Sequence, residues 1–307
     1  MKKLLFTGGG GAGNEAIFRL MKDRYELHFA DADLESIDPT IPDGHRHEIP
    51  FADRDEFTSS VLRLCRELKI DLLVPGVDEE LLLLAEQDEV PVLLPETSYI
   101  KTMLDKFSFS RALRAAGQAS PVSVLACEPW DAFPCILKPR SGRGSRNVSL
   151  LDRRAQIGAY LELTGLDPDS VIIQEYIRGQ EYTVLMAADH NANLHAVVPV
   201  RVAQKRGITI RAEIDNNPDI IRFCAEIHSA LPASGCYNIQ LMSGGEGKIL
   251  PFEINPRVST TFCLSLAAGL DPIDIFFCDY APRELVKAAA GTSLARNWKN
   301  HFHMGNE

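Results

Sequence analysis

The segment from Asn238 to Arg257 has two short apolar runs on either side of a glycine-rich turn, and this pattern restricts the fold more than any other in the chain. Ile239 and Leu241 alternate with polar residues before the turn, and Ile254 belongs to a similar run after it. Two such runs joined by Ser-Gly-Gly-Glu-Gly predict an antiparallel β-hairpin. Polar residues stand where core residues are expected, so a binding site is predicted there.

Three oxygen-bearing side chains of this hairpin, Gln240, Glu253 and Asn255, are expected to project toward one point, because alternate residues of a strand share a face. Carboxylate, amide and phosphate oxygens together suit Mg²⁺. Arg257 follows two residues after Asn255 and is positioned to contact a phosphate through its guanidinium fork. The alternative is that these are ordinary polar residues of an exposed edge strand.

Composition describes an ordinary globular protein of 307 residues, with 45% hydrophobic and 24% charged residues. The net charge of -10 argues against a nucleic-acid polymer as the main partner. Seven scattered cysteines without a Cys-x-x-Cys pair fit neither a disulfide scaffold nor a structural zinc site. No signal-peptide pattern and no apolar run of about 18 residues occurs, so a cytoplasmic protein without a membrane partner is expected.

Strands and helices alternate through the first hundred residues. The predicted strands cover 3–7, 26–30, 72–74 and 90–94, and the predicted helices include 57–68 and 81–85. This order predicts a small parallel sheet with helices on both faces, which is an α/β arrangement.

The turn after the first strand contains Gly8, Gly10 and Gly13 at the Gly-x-Gly-x-x-Gly spacing, and Asp31 ends the second strand. This spacing is typical of dinucleotide-binding domains, so an NAD(P)-dependent oxidoreductase is one interpretation. The glycines can equally form a tight strand-to-helix turn or approach another anionic ligand.

Acidic residues follow the strand at 72–74. Asp78, Glu79 and Glu80 lie where open sheets bind ligands, although acids at a helix N-terminus also complement the helix dipole. His45 and His47 are expected in a loop, and residues 281–307, with His301 and His303, are expected to form a polar tail.

Two helices are predicted between residues 97 and 116, with Lys106 at their junction, and Ser120-Pro121 marks the start of a new unit. In that unit a strand ends in Lys138 and is followed by a loop of glycine, serine and arginine from 141 to 147. Such a loop can fold over phosphates, or it can be a solvated hairpin. It is not a Walker A loop, because the lysine precedes the glycines.

The run from Val171 to Val184 has the form of a connector between domains, where a flat base could be sandwiched and Glu181 could accept hydrogen bonds from a ribose. A basic cluster follows it, composed of Arg201, Lys205, Arg206 and Arg211. Cationic runs are usually solvated, but in an acidic protein this one is a candidate for receiving an anionic substrate or a γ-phosphate.

Taken in order, these motifs resemble the ATP-grasp superfamily, in particular its carbamoyl-phosphate-synthetase large-subunit-like branch of carboxylate-amine ligases. The resemblance rests on Asp105-Lys106, Leu137-Lys138-Pro139 with its glycine loop, Gln174-Glu175-Tyr176-Ile177 with Gly179 and Glu181, and Gln240 with Glu253-Ile254-Asn255-Pro256-Arg257. It covers nearly the whole chain.

The resemblance implies an α/β fold of the ATP-grasp type. A Rossmann-like domain with a parallel sheet would occupy residues 1–97, and a two-lobed ATP-grasp domain would occupy 98–307. Within the second domain, a small lid subdomain would cover 118–178 and the lobe with the metal site would cover 179–280.

The family's site residues are carried over to the matching positions. ATP would contact Lys106, Lys138, the lid residues Gly142, Gly144 and Ser145, the adenine-side residues Glu175, Tyr176 and Ile177, Glu181 at the ribose, and Gln240. Gln240, Glu253 and Asn255 would hold Mg²⁺ or Mn²⁺, and Arg257 and Lys138 would act in catalysis.

The implied activity is that of an ADP-forming ligase, in which a carboxylate becomes an acylphosphate and an amine or similar nucleophile displaces the phosphate. Its partners would be small-molecule carboxylates and amines, without nucleic acid or membrane, and a homodimer is compatible with it. Val258-Ser259-Thr260-Thr261 departs from the glycine-rich pattern often found there in the family, which leaves the acceptor pocket open. A non-catalytic nucleotide-binding protein of the same fold is a third interpretation.

Overall fold

The N-terminal sheet has four strands, which are parallel throughout in the order β3-β2-β1-β4. The computed structural model describes residues 1–297. The strands are β1 (Lys2–Thr7), β2 (Tyr25–Asp31), β3 (Arg46–Glu48) and β4 (Leu72–Val74), and the helices are α1 (Asn14–Met21), α2 (Phe57–Leu68) and α3 (Leu81–Ala85). The predicted parallel sheet is therefore confirmed.

Two details of this domain differ from the prediction. The run at 90–94 forms a single bridge between Leu73 and Val92 instead of a strand, because Pro91 has no amide hydrogen to donate to a ladder. His47 belongs to β3 rather than to a loop, and its Nε2 lies 3.0 Å from Nδ1 of His28. The ring of His28 also stacks on His45, with 5.4 Å between centroids.

Helices α4 (Thr97–Leu104) and α5 (Lys106–Ala115) connect the first domain to the second. Asp105 separates them and caps α5, since its carboxylate accepts hydrogen bonds from the amides of Phe107 and Ser108 at 2.9 and 3.2 Å. The same carboxylate binds Arg140 of the next unit. Lys106 is thereby fixed as the first residue of α5.

The segment predicted to form the lid, and called the lid below, contains a four-stranded antiparallel sheet in the order β5-β8-β6-β7. Its elements are β5 (Ser123–Leu125), β6 (Cys135–Pro139), β7 (Ser149–Leu151), α6 (Ala155–Thr164) and β8 (Val171–Glu175). Trp130, Leu137, Tyr160 and Ile173 contribute to its own small core. Lys138 lies on β6, so the packing of this sheet fixes the position of its backbone.

The main sheet is antiparallel and has six strands in the order β13-β12-β9-β10-β11-β14. They are β9 (Gly179–Ala188), β10 (Leu194–Arg206), β11 (Ile208–Ile214), β12 (Gly235–Gly244), β13 (Ile249–Asn255) and β14 (Ser293–Ala295), with helices α7 (Pro218–Ala230), α8 (Phe262–Ala267) and α9 (Pro272–Phe276). Among residues 1–297 no helix is long and apolar enough to cross a membrane.

Both faces of the main sheet are buried, which the alternation of β9 illustrates. Leu185 and Ala187 pack in the cluster that includes the N-terminal sheet, while Val184 and Met186 pack in the cluster with α4, α5 and α7. The sheet is therefore held between the N-terminal domain and the connecting helices.

The predicted hairpin is confirmed as β12 and β13. Gln240 pairs with Glu253 across the two strands, and Ile239 and Leu241 are fully buried. A bulge follows Gln240 in the ladder.

The segment expected to form a polar tail contributes to the main sheet instead. Strand β14 pairs with β11, and Ala288 is buried. The guanidinium of Arg296 donates to the carbonyls of Ala12 and Thr260, so it connects this segment to the glycine-rich turn. The polar composition gave no sign of this, because an edge strand pairs through its backbone. His301 and His303 lie outside the described residues.

Candidate active site

A cleft of about 810 Å³ lies between the parallel sheet, the lid and the hairpin. All the residues that the ATP-grasp resemblance assigns to the site line it: Lys106, Lys138, Gly142, Gly144, Ser145, Glu175, Tyr176, Ile177, Glu181, Gln240, Glu253, Asn255 and Arg257. Residues distant in sequence therefore meet in one space, and their individual roles stay predictions.

The predicted metal ligands differ in what they contact. Glu253 has Oε1 3.6 Å from Nζ of Lys106, and among the described residues the side-chain amide of Asn255 has no hydrogen-bond partner. These two side chains share a face of β13 and present oxygens to the cleft, as a hard cation requires. Gln240 differs, because its Oε1 accepts a hydrogen bond from Nζ of Lys205 at 3.1 Å.

Glu253 and Asn255 therefore fit a magnesium ion as they stand, whereas Gln240 fits it after Lys205 moves away. Within residues 1–297 no group of three or more His, Cys, Asp or Glu side chains could hold a metal. A site with one carboxylate and amide oxygens, completed by phosphate oxygens, is the type this cleft offers.

Lys138 is a buried cation in the cleft, and its Nζ donates to the carbonyl of Phe252 at 3.1 Å. Burial lowers the pKa of Lys138 to about 8, with Glu253 opposing the shift and the charges of Lys106 and Lys205 adding to it. Lys106 and Lys138 thus lie near Glu253, and Lys205 is close enough to affect Lys138, which makes this part of the cleft suited to a polyphosphate.

The glycine loop after β6 adopts backbone conformations that few side chains tolerate. Gly142 and Gly144 have φ of 117° and 70°, and Ser145 has φ of 57°. Lys106 donates to the carbonyl of Gly142 at 2.8 Å, and Arg143 pairs with Glu79 of the first domain at 3.1 Å. The loop therefore contacts both Lys106 and the N-terminal domain.

The connector between β8 and β9 forms another wall. Glu175 accepts a hydrogen bond from the amide of Val122 at 3.2 Å, and its Oε1 lies 3.6 Å from Nζ of Lys248. Gly179 lies so close to β12 that a Cβ would be 2.3 Å from the carbonyl oxygen of Ser243. A glycine is therefore required where the connector passes the hairpin.

Glu181, predicted at the ribose, binds Lys205 at 2.6 Å. Lys205 consequently bridges Glu181 and Gln240, two residues expected to contact the nucleotide. It is the member of the predicted basic cluster that lines the cleft, whereas Arg201 pairs with Glu213 at 3.1 Å.

Arg257 connects the hairpin to the N-terminal domain. Its Nε lies 2.5 Å from Oδ1 of Asp78, and its Nη1 donates to the carbonyl of Val258 at 2.9 Å. The two charged side chains are 12% and 14% exposed, so the pair is held largely out of water.

The glycine-rich turn of the first domain is ordered by Asp31, whose Oδ2 accepts a hydrogen bond from the amide of Gly10 at 2.9 Å. Its Oδ1 accepts another from the amide of Asp33 at 3.1 Å. In the NAD(P) interpretation this carboxylate would bind a ribose, but here it shapes the turn itself.

Glu80 is a cleft residue whose importance the sequence left undecided. Its Oε1 accepts hydrogen bonds from Oγ1 of Thr7 at 2.5 Å and from the amides of Gly76 and Val77, both at 2.9 Å. It is 3% exposed and burial raises its pKa to about 7. The sequence signal for a role of Glu80 in the site was its position just after the strand at 72–74, where open parallel sheets bind ligands.

Comparison with known proteins gives a family match over part of the chain. The model of a family described as ATP-grasp in the biosynthetic pathway with Ter operon matches residues 167–296. This segment contains the connector, the hairpin and Arg257.

Solved structures with this fold include three that differ in their chemistry. N5-carboxyaminoimidazole synthase from Aspergillus clavatus, in complex with ADP and 5-aminoimidazole ribonucleotide, has a TM-score of 0.68 at 17% identity over 95% of this chain and 79% of that one. L-amino acid ligase from Bacillus licheniformis has a TM-score of 0.63 at 16% identity over 86% of this chain and 69% of that one. Pyruvate carboxylase from Rhizobium etli has a TM-score of 0.65 at 14% identity. The match covers 89% of this chain but only 28% of the length of that one.

At these identities the structural likeness concerns the fold, while the family model adds a match in sequence. The chain thus has the ATP-grasp fold, and the resemblance to the ATP-grasp superfamily is confirmed.

Proposed function

We propose that this protein is an ATP-dependent ligase that activates a carboxylate as an acylphosphate and transfers the acyl group to an amine. One observation carries the proposal. Glu253 and Asn255 present metal-binding oxygens beside Lys106 and Lys138, in the same cleft as Arg257. This combination neutralises a triphosphate and a developing acylphosphate.

Mg²⁺ or Mn²⁺ would be held by Glu253 and Asn255, and when bound it would neutralise phosphate charge. Glu175, Tyr176 and Ile177 would line the adenine side. Lys205 would leave Glu181 and Gln240 when nucleotide enters, so that Glu181 becomes free to accept bonds from ribose hydroxyls.

The residues of the cleft favour catalysis by positioning and charge. Among residues 1–297 no histidine or cysteine lines the cleft, and burial raises the pKa of Cys224 and Cys236 elsewhere in the core. Stepwise acyl transfer through an acylphosphate needs no covalent side chain.

The similar proteins support the reactant classes. One is described as an amino acid ligase, and another is described in complex with ADP and an amino-substituted ribonucleotide. The seven free cysteines favour a reducing compartment, so we include a cytoplasmic location in the proposal.

The test is release of ADP and phosphate from ATP and Mg²⁺ in the presence of amino acids, supplied singly and in pairs. ADP that appears with one pair and is matched by a new amide in the mass spectrum supports the proposal. Enhanced fluorescence of NADH on mixing, without ADP release, would favour the oxidoreductase interpretation instead.

A further inference from the structure

The two carboxylate oxygens of Glu80 differ: Oε1 accepts hydrogen bonds, and Oε2 has no hydrogen-bond partner within residues 1–297. Its Oε1 accepts the three hydrogen bonds from Thr7, Gly76 and Val77. Among the described residues no hydrogen bond reaches Oε2. The side chain is 3% exposed and lines the cleft. A carboxylate that is held in place through Oε1 can use Oε2 to accept a hydrogen bond from a ligand.

An apolar wall lies in the part of the cleft that the N-terminal domain forms, to which Glu80 also belongs. It is formed by Ile49, Pro50, Phe51 and Phe57. Ile49 and Phe57 are buried, whereas Phe51 remains 61% exposed. A large aromatic side chain held open to the cleft is suited to cover an apolar part of a ligand.

Charge separates this half of the cleft from the phosphate side. Above its pKa of about 7 the charged Glu80 would repel a carboxylate substrate, whereas Lys106 and Lys138 attract one. The charge of Arg257 acts on Glu80 without a hydrogen bond between them. The two reactants therefore have distinct electrostatic requirements within one cleft.

We infer that Glu80 binds the nucleophile of the proposed ligation, and that this nucleophile is a primary amine attached to an apolar group that contacts Phe51. The reaction in this inference rests on the proposed function. The amine-binding site is inferred independently, from the hydrogen bonds of Glu80 and from the apolar wall.

The chemistry balances with Glu80 as the proton acceptor. The ammonium gives one proton to the Glu80 carboxylate, and the neutral nitrogen forms a bond to the acyl carbon. The bond from that carbon to the phosphate oxygen breaks, phosphate leaves with the electron pair, and it takes the second proton from nitrogen. Burial raises the pKa of Glu80 to about 7, which suits a group that accepts and then releases a proton near neutral pH.

Binding can be measured without turnover, with L-phenylalaninamide as the probe and ADP with Mg²⁺ present, by isothermal titration calorimetry. Wild-type protein is expected to bind the probe, and Glu80→Gln to bind it at least about tenfold more weakly because a charged hydrogen bond is lost. Gln keeps an oxygen for Thr7 and the two amides, so the fold is retained. Glu86→Gln, an exposed change outside the cleft, should bind as wild type.

Phe51→Ala tests the apolar contact independently. Because the Phe51 side chain is largely exposed, its removal should not unfold the protein. It should weaken L-phenylalaninamide binding severalfold and leave methylamine binding unchanged. Failure of wild-type protein to bind the probe, or equal binding by Glu80→Gln, would overturn the inference, whether or not the protein is a ligase.

Hydroxylamine separates the two steps of the reaction, because it is already neutral at pH 7 and traps acylphosphates without a base. Glu80→Gln is expected to lose about 100-fold in amide formation and to lose far less in hydroxamate formation from the amino acid panel. Loss of both products in this variant would contradict the assignment to the nucleophile. Absence of hydroxamate with wild-type protein would count against the proposed function, while the calorimetric result still decides the amine site.

Discussion

Arg257 of the hairpin and Asp78 of the N-terminal domain form an ion pair with 2.5 Å between Nε and Oδ1. The arginine predicted to contact the transferred phosphoryl group is thus held by a carboxylate from the other side of the cleft. Its position depends on the relation between the two domains and not on the hairpin alone.

A double-mutant cycle measures this coupling. Asp78→Asn and Arg257→Met should each lower the free energy of unfolding, and the interaction energy between them should be on the order of 1–3 kcal/mol because both side chains are mostly buried. Denaturant titrations of the four proteins give the value. Simple additivity of the two effects would show that the pair contributes nothing to stability.

Replacing Glu253 by Gln should lower ADP formation by about 100-fold or more, because the one carboxylate of the predicted metal site is lost. The melting temperature should change little, since among residues 1–297 no side-chain hydrogen bond to Glu253 supports the fold. Glu226→Gln on α7 is the matched control, with an exposed side chain outside the cleft lining. Unchanged ATP consumption in Glu253→Gln would refute the role assigned to this residue.

Nucleotide affinity should depend on pH through Lys138. Its pKa is lowered to about 8, so the lysine is charged below pH 8 and loses its charge as the pH rises through that value. ATP binding in the presence of Mg²⁺ should therefore weaken between pH 7 and pH 9. Lys138→Met should bind ATP weakly across this range, and a wild-type affinity independent of pH would argue against contact between Lys138 and the phosphates.

The close approach at Gly179 predicts a sharp difference between two glycine substitutions. Gly179→Ala should lower the melting temperature and weaken ATP binding, because its Cβ would overlap the carbonyl oxygen of Ser243. Gly158→Ala on α6 meets no atom within 4 Å and should stabilise the helix by roughly 0.5–1 kcal/mol. Thermal melts monitored by circular dichroism compare the two.

Acid should destabilise the protein through the cluster that His28 and His47 form. Burial, together with neighbouring histidines, lowers the pKa of both His28 and His47. The unfolded chain, with histidine pKa values of about 6.5, therefore binds more protons, so stability falls as the pH drops below that value.

The measurement is the free energy of unfolding at pH 7.5 and pH 5.5. His47→Gln should reduce the difference between the two values. His190→Gln, at a half-exposed position outside the cluster, should leave it unchanged. Equal sensitivity to pH in all three proteins would assign the acid effect to other groups.

Much of this fold was accessible from the sequence because its determinants are local. The alternation around Gln240 and Glu253 predicted the hairpin, and apolar periodicity predicted α2 and the parallel strands. The same reasoning missed β3 and β14, since these short strands lack an apolar run and are defined by the edge with which they pair. It also assigned a strand to 90–94, where Pro91 restricts the ladder to a bridge.

The site was predicted as a set of residues and not as a set of contacts. Nothing in the sequence indicated that Lys205 would bind both Glu181 and Gln240, because these partners are 24 and 35 positions away. The engagement of Asp78 with Arg257 spans 179 positions. Such pairings arise from tertiary packing, which residue patterns do not encode individually.

The pairing of Arg143 with Glu79 has a consequence for the release of products. Both side chains are substantially exposed, at 40% and 56%, and such surface pairs contribute about 0–1 kcal/mol. Water can therefore compete for this ion pair at little cost. Under the proposed function, opening of the glycine loop would then depend mainly on breaking the hydrogen bond from Lys106 to Gly142, and release of ADP would be governed by the lysines proposed to bind its phosphates.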